Sequence, residues 1–257
     1  MSSSIQFWES AFQPTDPTAR TPGVLDCEAF KSTRNRTERT LLNTLTDVEG
    51  LDVLEVGCGT GKMAVYLAKH GARVTATDLS GNAIKRTRER AEANRVTDRI
   101  TTRRIDALDL RELDATYDLI VGKFILHHIE PFDAFVDVVH DVLRDGGRAV
   151  FMENNARNPM LAFARNALVG RLGIPKYGDP EEYPLEPLEV EMIDRRFDRS
   201  TQKYPEFICF RLLNTYVFRS RLWAPLQAAT KWIDDTVHRL LPGARKYSYH
   251  QIIEAVK

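Results

Sequence analysis

The chain has 257 residues, of which 43% are hydrophobic and 28% charged, the composition of a folded globular protein with room for one large α/β domain and an appended segment. Its 36 basic and 36 acidic side chains give a net charge of zero, which argues against a nucleic-acid enzyme with a basic face. The cysteines at 27, 58 and 209 show neither metal nor disulfide spacing, so we expect no metal and a reducing, cytoplasmic location.

Residues 1–50 precede the first predicted strand. They contain neither a basic-then-apolar leader nor a long apolar run, so we expect no signal peptide and no stable membrane insertion. Apolar periodicity predicts a helix over Thr37–Leu45. Phe7, Trp8 and Phe12 have near-helical spacing, which fits either docking on the core or a cover over a site.

Residues 51–80 predict a strand, a glycine turn, a helix and a second strand that ends in an acidic residue. The predicted parts are strand 51–56, turn 57–61, helix 63–70 and strand 73–77, followed by Asp78. Glycines in such a turn permit a sharp bend and a close approach of the backbone to a ligand. The spacing from Gly57 to Asp78 is that at which a carboxylate meets a ribose hydroxyl in nucleotide-binding βαβ units.

The glycine spacing is GxGxG, and it separates this turn from two better-known loops. A dinucleotide fingerprint needs a third glycine at position 62, where Lys62 stands. A phosphate-binding P-loop needs Ser or Thr after its lysine, and Met63 follows instead. Glu55 just precedes the turn. A plain glycine turn between a strand and a helix is the alternative reading.

Glu55, the three glycines and Asp78 together resemble the first motif of the class I S-adenosylmethionine-dependent methyltransferases. The resemblance implies that the cofactor is S-adenosyl-L-methionine, with glycines around the methionine part and Asp78 at the ribose. The cofactor-binding residues it implies are Glu55, Gly57, Cys58, Gly59, Gly61, Asp78, Leu79, Asp106, Ala107 and Gly122.

After Asp78, Ser80 is a predicted N-cap of a helix to about Asn94. Its charged run KRTRERAE is predicted to be a solvated face, with nucleic-acid contact as the alternative. A third strand is predicted over Ile100–Ile105. The resemblance puts Asp106, at the end of that strand, beside the adenine, and this is compatible with an ordinary helix N-cap.

A fourth strand is predicted over Tyr117–Val121, within YDLIVGKFILHHIEP. The block resembles motif IV of the small-molecule methyltransferases of the ubiquinone/menaquinone type, although Lys123 departs from the small polar residue usual there. Lys123 is therefore a candidate contact for an acidic substrate, or an exposed side chain. His127 and His128 follow the strand end, where they suit either proton transfer or a structural role.

The remaining pattern completes the predicted fold. It comprises helix 132–143, strand 148–152, an inserted amphipathic helix 161–172, a late strand 207–218, helix 223–241 and a final strand 247–256. We therefore expect an α/β, Rossmann-like, doubly wound and mostly parallel seven-stranded sheet, whose last strand is antiparallel, with an inserted helical cap.

Four segments are predicted. They are 1–50, an N-terminal helical segment over the site; 51–153, the cofactor-binding core; 154–205, a substrate cap; and 206–257, the strands and helix that complete the sheet. Aromatic and Arg residues in the cap region make Tyr183 and Arg196 candidate substrate contacts, with plain surface residues as the alternative.

The resemblance implies methyl transfer to the O, N or C atom of a small-molecule acceptor, with no nucleic acid as partner. A nucleic-acid methyltransferase and a non-catalytic adenosylmethionine-binding protein are the alternatives, and an oxidoreductase is disfavoured because the third glycine is missing. The acceptor and the oligomeric state are left open by the sequence.

Overall fold

A single mixed sheet forms the centre of the protein in the computed structural model, which describes residues 9–10, 12, 23–33, 35–159, 161–162, 183–212 and 224–257. Its strands are β1 Asp52–Val56, β2 Arg73–Asp78, β3 Ile100–Arg104, β4 Tyr117–Lys123, β5 Leu143–Asn154, β6 Arg199–Lys203 and β7 His250–Val256. Their order across the sheet is β3–β2–β1–β4–β5–β7–β6. The strands from β3 to β5 pair in parallel, and β7 is antiparallel to both of its neighbours. The predicted doubly wound sheet with an antiparallel last strand is confirmed.

Helices cover both faces of this sheet. They are α1 Cys27–Lys31, α2 Arg36–Thr44, α3 Lys62–Lys69, α4 Gly81–Ala93, α5 Phe132–Val142, α6 Pro187–Arg196 and α7 Ala224–Leu240, with short 3-10 helices at Ala107–Leu113, Leu126–His128 and Pro242–Tyr247. Buried residues of α2, α3 and α4 pack on one face, which we call the α2 face. Those of α5 and α6 pack on the other, the α5 face. None of the helices in the described part of the chain is long and apolar enough to cross a membrane.

Local signals in the sequence explain where several helices begin. The Asn35 side chain accepts a hydrogen bond from the Glu38 amide at 3.0 Å and caps α2. The predicted cap at Ser80 is confirmed, because its hydroxyl accepts from the Ala83 amide at the start of α4 at 3.2 Å. Leu41 and Leu42 of α2 are fully buried, which anchors this N-terminal helix on the α2 face.

The end of the sheet differs from the sequence prediction in one strand. The late strand predicted at 207–218 is wrong in its described part, because residues 210–212 are helical. The strand next to β7 is instead β6, Arg199–Lys203, inside the range 154–205 predicted as a cap. Its sequence RSTQK lacks an apolar pattern because β6 is an edge strand that pairs with β7 alone. The predicted helix 161–172 lies almost wholly outside the described residues.

The topology fixes one edge of the sheet as the place for a ligand. β1 lies between β2 and β4, so the strand order reverses there, and ligands of open α/β sheets bind at the carboxyl ends of the strands beside such a point. We call this the ligand edge. Because β7 runs in the opposite direction, its first residue, His250, pairs with Asn154 at the same edge.

Candidate functional site

The glycine turn joins β1 to α3 at the ligand edge. Gly57, Gly59 and Gly61 have φ angles of 74°, 50° and 72°, a backbone region that residues with a side chain rarely adopt. The turn is closed by hydrogen bonds from the amides of Gly57 and Cys58 to the Thr77 carbonyl, at 3.0 and 2.9 Å. The glycines are therefore needed for the path of the chain itself.

Packing supplies a second reason for two of these glycines. A Cβ on Gly57 would lie 2.8 Å from the Ile125 side chain, and one on Gly61 would lie 2.8 Å from the Thr87 backbone. A Cβ on Gly59 would lie 3.3 Å from the Phe12 ring. The missing side chains at 57 and 61 thus admit neighbouring parts of the protein, a role that the sequence motif alone does not indicate.

Asp78 ends β2 and ties the turn to its neighbour. One carboxylate oxygen accepts the Gly59 amide and the other accepts the Ser80 amide, each at 2.9 Å. Burial raises the pKa of Asp78. Each oxygen keeps a further lone pair, so the side chain can also accept hydroxyl donors from a ligand. Leu79, beside it, is 39% exposed and offers an apolar surface at the same edge.

Glu55 is a buried carboxyl group near the end of β1. Only 5% of the residue is exposed, and its Oε2 has no hydrogen-bond partner. Burial, and then the charge of Asp78, raise its pKa well above the ordinary value. A buried oxygen without a partner costs free energy, which a donor or a positive group of a ligand would recover.

Asp106 lies at the end of β3 and begins a 3-10 helix. Its carboxylate accepts the Leu108 amide at 3.0 Å, which confirms the N-cap. Ala107 is the first residue of that helix and is partly exposed. A contact between Asp106 and adenine stays a prediction that the cap does not oppose.

The loop after β4, residues 124–128, bends back over the turn. Phe124 begins it with a φ of 53°, a strained value for a bulky residue. Ile125 then packs on both Gly57 and Gly122, where a Cβ on Gly122 would lie 2.8 Å from the Ile125 side chain. The loop therefore depends on two glycines, one in the turn after β1 and one in β4.

Glu153 holds this loop in place from β5. Its Oε1 accepts the amides of Ile125 and Leu126 at 2.6 and 2.7 Å, and its Oε2 pairs with Nδ1 of His127 at 2.7 Å. The His127 and Glu153 side chains are 1% and 0% exposed. This geometry favours the structural alternative for His127. The half-buried His128 packs on it with ring centroids 4.0 Å apart and the ring planes tilted by 44°. Sequence reasoning missed the role of Glu153, because no pattern links it to the loop.

The three predicted substrate contacts lie in different places. Lys123, the last residue of β4, forms an ion pair with Glu38 of α2. Tyr183 donates to Glu130, just beyond the 124–128 loop, at 2.6 Å, and stays a candidate contact.

Arg196 is not brought to the site. It pairs with Asp137 at 2.6 Å and with Asp141 at 3.6 Å, both on α5. Because α5 runs from the ligand edge back to the start of β5, Asp141 lies near the opposite edge of the sheet. The arginine was assigned to the cap by sequence proximity alone, and the structure assigns it to packing of α6 on α5.

An N-terminal residue, Glu9, is attached beside Asp78. Its carboxylate accepts from the Ser80 hydroxyl at 3.0 Å and from the Gly81 amide at 2.9 Å, and it pairs with Arg104 at 3.4 Å. The hydrogen bonds lower the pKa of Glu9. Glu9 thus contacts the start of α4 beside Asp78, while Phe7 and Trp8 of the sequence prediction lie outside the described residues.

A polar row crosses the ligand edge on the α2 face, and the strand register defines it. Glu55 pairs with Val121, two residues before Lys123; Lys123 pairs with Met152, two before Asn154; and Asn154 pairs with His250. Residues that pair across strands, or lie two apart in one strand, share a face. The row of Glu55, Lys123, Asn154 and His250 was not predicted from the sequence.

Comparison with known proteins gives a family match and partial relatives. Residues 53–147 match the model of a family described as methyltransferase domain. The chain is 32% identical over 139 residues to an S-adenosyl-L-methionine-dependent Diels-Alderase of Talaromyces variabilis, covering 53% of this chain and 48% of that protein. It is 35% identical over 119 residues to a ubiquinone biosynthesis O-methyltransferase of Methylocella silvestris, covering 46% and 45%. The chain thus spans about half the length of these curated relatives.

A solved structure shares the fold. Magnesium protoporphyrin IX methyltransferase of Synechocystis PCC 6803, with bound S-adenosylhomocysteine, matches with a TM-score of 0.54 and 16% identity over 86% of this chain and 81% of that one. At this identity the likeness concerns the fold alone.

Proposed function

We propose that this chain, whose residues 53–147 belong to the class I S-adenosylmethionine-dependent methyltransferase family, transfers a methyl group to a small-molecule acceptor. The observation that carries the proposal is the glycine turn at the ligand edge, flanked by the carboxyl groups of Glu55 and Asp78. When bound, S-adenosyl-L-methionine supplies a methyl group already activated on a positively charged sulfur.

The residues of the site fit this cofactor. The unpartnered Oε2 of Glu55 suits the positively charged methionine part, and the remaining lone pairs of Asp78 suit the ribose hydroxyls. The full proposed set is Glu55, Gly57, Cys58, Gly59, Gly61, Asp78, Leu79, Asp106, Ala107 and Gly122, as the sequence motif implies.

The protein's own contribution is alignment and exclusion of water. Glu153 fixes the 124–128 loop against the glycine turn, so the floor of the acceptor site is set before a ligand arrives. Cover from the N-terminal side comes from Glu9 and Phe12. The prediction that the part of 154–205 before α6 forms the other cover is still untested, and its candidate substrate contact is Tyr183. Lys123, at the end of β4, is a separate candidate contact.

Two observations support a small acceptor. One is the similarity to a ubiquinone biosynthesis O-methyltransferase, and the other is the set of contacts made by the basic residues of α4. Arg88 donates to the Thr102 hydroxyl at 2.7 Å, and Arg90 donates to the Thr60 carbonyl at 2.6 Å. These guanidinium groups serve the protein's own packing, which argues against a role in nucleic-acid binding. A cytoplasmic location is supported by three free thiols in the described residues.

Labelled cofactor tests the proposal directly. The protein is incubated with methyl-labelled S-adenosylmethionine and either the low-mass fraction or the RNA fraction of an extract of its own cells. We expect label in a low-mass product. Label in RNA alone would establish the nucleic-acid alternative, and bound cofactor with label in neither fraction would refute methyl transfer.

The Diels-Alderase relative favours a second candidate, a cyclase that needs the bound cofactor. In that case a low-mass compound would change structure without gaining mass, and the label would stay in S-adenosylmethionine. Mass spectrometry of the same reaction distinguishes this outcome.

A further inference from the structure

We propose that His250 is a catalytic residue of this enzyme, whose imidazole takes the proton of the acceptor's nucleophilic O–H or N–H group during methyl transfer. The inference rests on the proposed function and adds to it a base and a class of acceptor: one whose nucleophile carries a proton. No sequence motif pointed to this residue.

The placement of His250 is the first argument. It starts β7 and ends the polar row that begins at Glu55 and passes Lys123 on the α2 face. The cofactor is proposed to bind at the Glu55 end of this row. An acceptor bound farther along the row would therefore lie between the cofactor and His250. The antiparallel direction of β7 is what brings a residue so late in the chain to this edge.

Unsatisfied polar atoms are the second argument. Near the start of β7, three buried side-chain atoms have no hydrogen-bond partner: Ser248 Oγ, His250 Nδ1 and Gln251 Nε2. Proteins satisfy nearly all buried polar atoms with protein, water or ligand partners, so these three atoms within four residues at the ligand edge need partners that the protein itself does not supply. A ligand donor at Nδ1 of His250 would be one such partner.

His250 is the member of this group with the right chemistry and the right face. A hydroxyl or an amide does not take a proton near neutral pH, whereas a neutral imidazole does. Gln251 pairs across the sheet with Glu153, so it points to the α5 face, away from Glu55 and Lys123. The His250 ring lies 5.5 Å from the Phe124 ring and 4.6 Å from the Tyr249 ring, measured between centroids.

The surroundings keep His250 neutral and ready to accept. Burial, and then the positive charge of Lys123, lower its pKa to about 4. The charge of Lys123 is itself paired with Glu38 of α2, and Tyr249 is the neighbouring titratable group on β7. At neutral pH the ring therefore carries no proton at one nitrogen, and Nδ1 is unpartnered.

The step balances without a further reactant. The acceptor's O or N atom forms a bond to the methyl carbon while the carbon–sulfur bond breaks and its electrons stay on sulfur. The acceptor's proton moves to His250 and then to solvent. A weak base suffices, because an O–H or N–H group becomes strongly acidic once its heavy atom has taken the methyl group.

His250→Phe tests the proposal, with His140→Phe as the matched control. His140 is also a histidine whose Nδ1 is buried without a hydrogen bond, but it lies on α5 at the opposite edge. Both replacements exchange an imidazole for an apolar ring. Binding of S-adenosylhomocysteine is measured by calorimetry, and transfer is measured with labelled cofactor and the low-mass fraction that accepts label from the wild type.

We expect His250→Phe to bind S-adenosylhomocysteine within twofold of the wild type and to transfer methyl about 10²- to 10⁴-fold more slowly, the usual effect of losing a general base. His140→Phe should match the wild type in both assays. Wild-type transfer rates in His250→Phe would overturn the proposal.

A second variant separates chemistry from packing. His250→Gln keeps a polar side chain that accepts a hydrogen bond but takes no proton, and it should be as slow as His250→Phe. If His250→Gln is as fast as the wild type, His250 only orients the acceptor, and the proposal is wrong. If the wild-type protein transfers label to no fraction, the proposed methyl transfer itself is refuted. This outcome is distinct from failure of the His250 proposal, which requires an active wild-type protein and an equally active variant.

Discussion

Glu55, near the end of β1, and Asp78, at the end of β2, differ in the hydrogen bonds that their carboxyl groups accept from the protein. Asp78 accepts two backbone amides of its own chain, whereas one oxygen of Glu55 is buried with no partner. Asp78 therefore has a structural duty as well as a proposed ligand contact. The Glu55 oxygen is not used by the protein's own hydrogen bonds, and the two residues lead to different predictions.

Replacing Asp78 with Asn should weaken cofactor binding at least about tenfold, because a hydrogen bond to a charged group contributes about 1.5–3 kcal/mol. Asn keeps the size of the side chain but only one acceptor oxygen, so one of the two backbone amides loses its partner, and unfolding free energy is measured alongside the affinity. The affinity for S-adenosylhomocysteine is measured by calorimetry. Asp109→Asn, an exposed carboxylate nearby, should leave the affinity unchanged. Unaltered binding by a folded Asp78→Asn protein would reject the ribose contact.

Cofactor binding near neutral pH should release a proton from Glu55. Its pKa is raised in the free protein, so the carboxyl group tends to hold a proton, and a positive ligand group beside it favours the carboxylate. Affinity should therefore rise with pH. Calorimetry in two buffers of different ionisation enthalpy measures the released proton, and Glu55→Gln should abolish the buffer dependence. Equal heats in both buffers for the wild type would contradict this.

His250 should make the protein less stable as the pH falls. Its pKa is about 4 in the folded state and near 6.5 when unfolded, so below pH 6.5 protons bind the unfolded chain preferentially. Between pH 7 and pH 5 this lowers the free energy of unfolding by about 2 kcal/mol. His250→Phe should lack that loss. Urea denaturation at the two pH values gives the comparison, and identical losses in both proteins would refute the assignment.

Among the elements, the 124–128 loop depends on a residue of another strand. Three donors converge on Glu153, from Ile125, Leu126 and His127, and the Glu153 and His127 side chains are buried. Phe124, which has a strained φ, precedes these residues, and its own amide donates to the Met152 carbonyl at 2.8 Å. The loop is therefore tied to β5 by side-chain hydrogen bonds, although its only regular structure is the short 3-10 helix Leu126–His128.

Glu153→Gln should loosen this loop, since an amide group offers one acceptor oxygen where the carboxylate offers two. The cost of leaving a buried donor unsatisfied is about 1–3 kcal/mol of unfolding free energy. Hydrogen exchange at the Ile125 and Leu126 amides should speed up with it. Glu191→Gln, on the exposed side of α6, should change stability by less than about 0.5 kcal/mol. Unchanged exchange at both amides would show that the loop is held otherwise.

For the whole molecule, ligand-induced stabilisation separates the cofactor classes. A ligand that binds only the folded state at one hundred times its Kd adds about 2.7 kcal/mol, or roughly 5–10 °C in Tm for a chain of this size. S-adenosylhomocysteine should produce this shift. NAD should not, because Lys62 stands where the dinucleotide fingerprint needs glycine. A shift with NAD and none with S-adenosylhomocysteine would overturn the cofactor assignment.

The sequence predicts the elements from β1 to β5 well and the end of the sheet poorly, for a physical reason, while the contacts with cofactor and acceptor stay predictions. The turn from Gly57 to Gly61 and the carboxylate of Asp78 follow local rules of backbone conformation and spacing, so they are visible in about thirty consecutive residues. β6 has no apolar pattern because it is an edge strand. His250 reaches the site only through its pairing with Asn154, across about a hundred residues of chain.

Arg196 shows the opposite error. Its position in the inserted region suggested a substrate contact, yet its charge is used against Asp137 and Asp141. Closeness in sequence to a presumed cap carries no information about which edge of the sheet a helix faces. Register and helix direction decide that, and both are set by long-range contacts.

The position of β7 between β5 and β6 also constrains synthesis. β6 pairs with β7 alone, and β7 begins about fifty residues later in the chain. β6 is therefore synthesised before its only partner strand exists. At 5–20 residues per second this interval lasts roughly 3–10 s. During that time β5 also presents a bare edge where β7 will insert, beside the completed pairing with β4. The nascent chain therefore carries a free edge of β5 and an entirely unpaired β6 at once, the state in which a chaperone that shields β-strands has most effect.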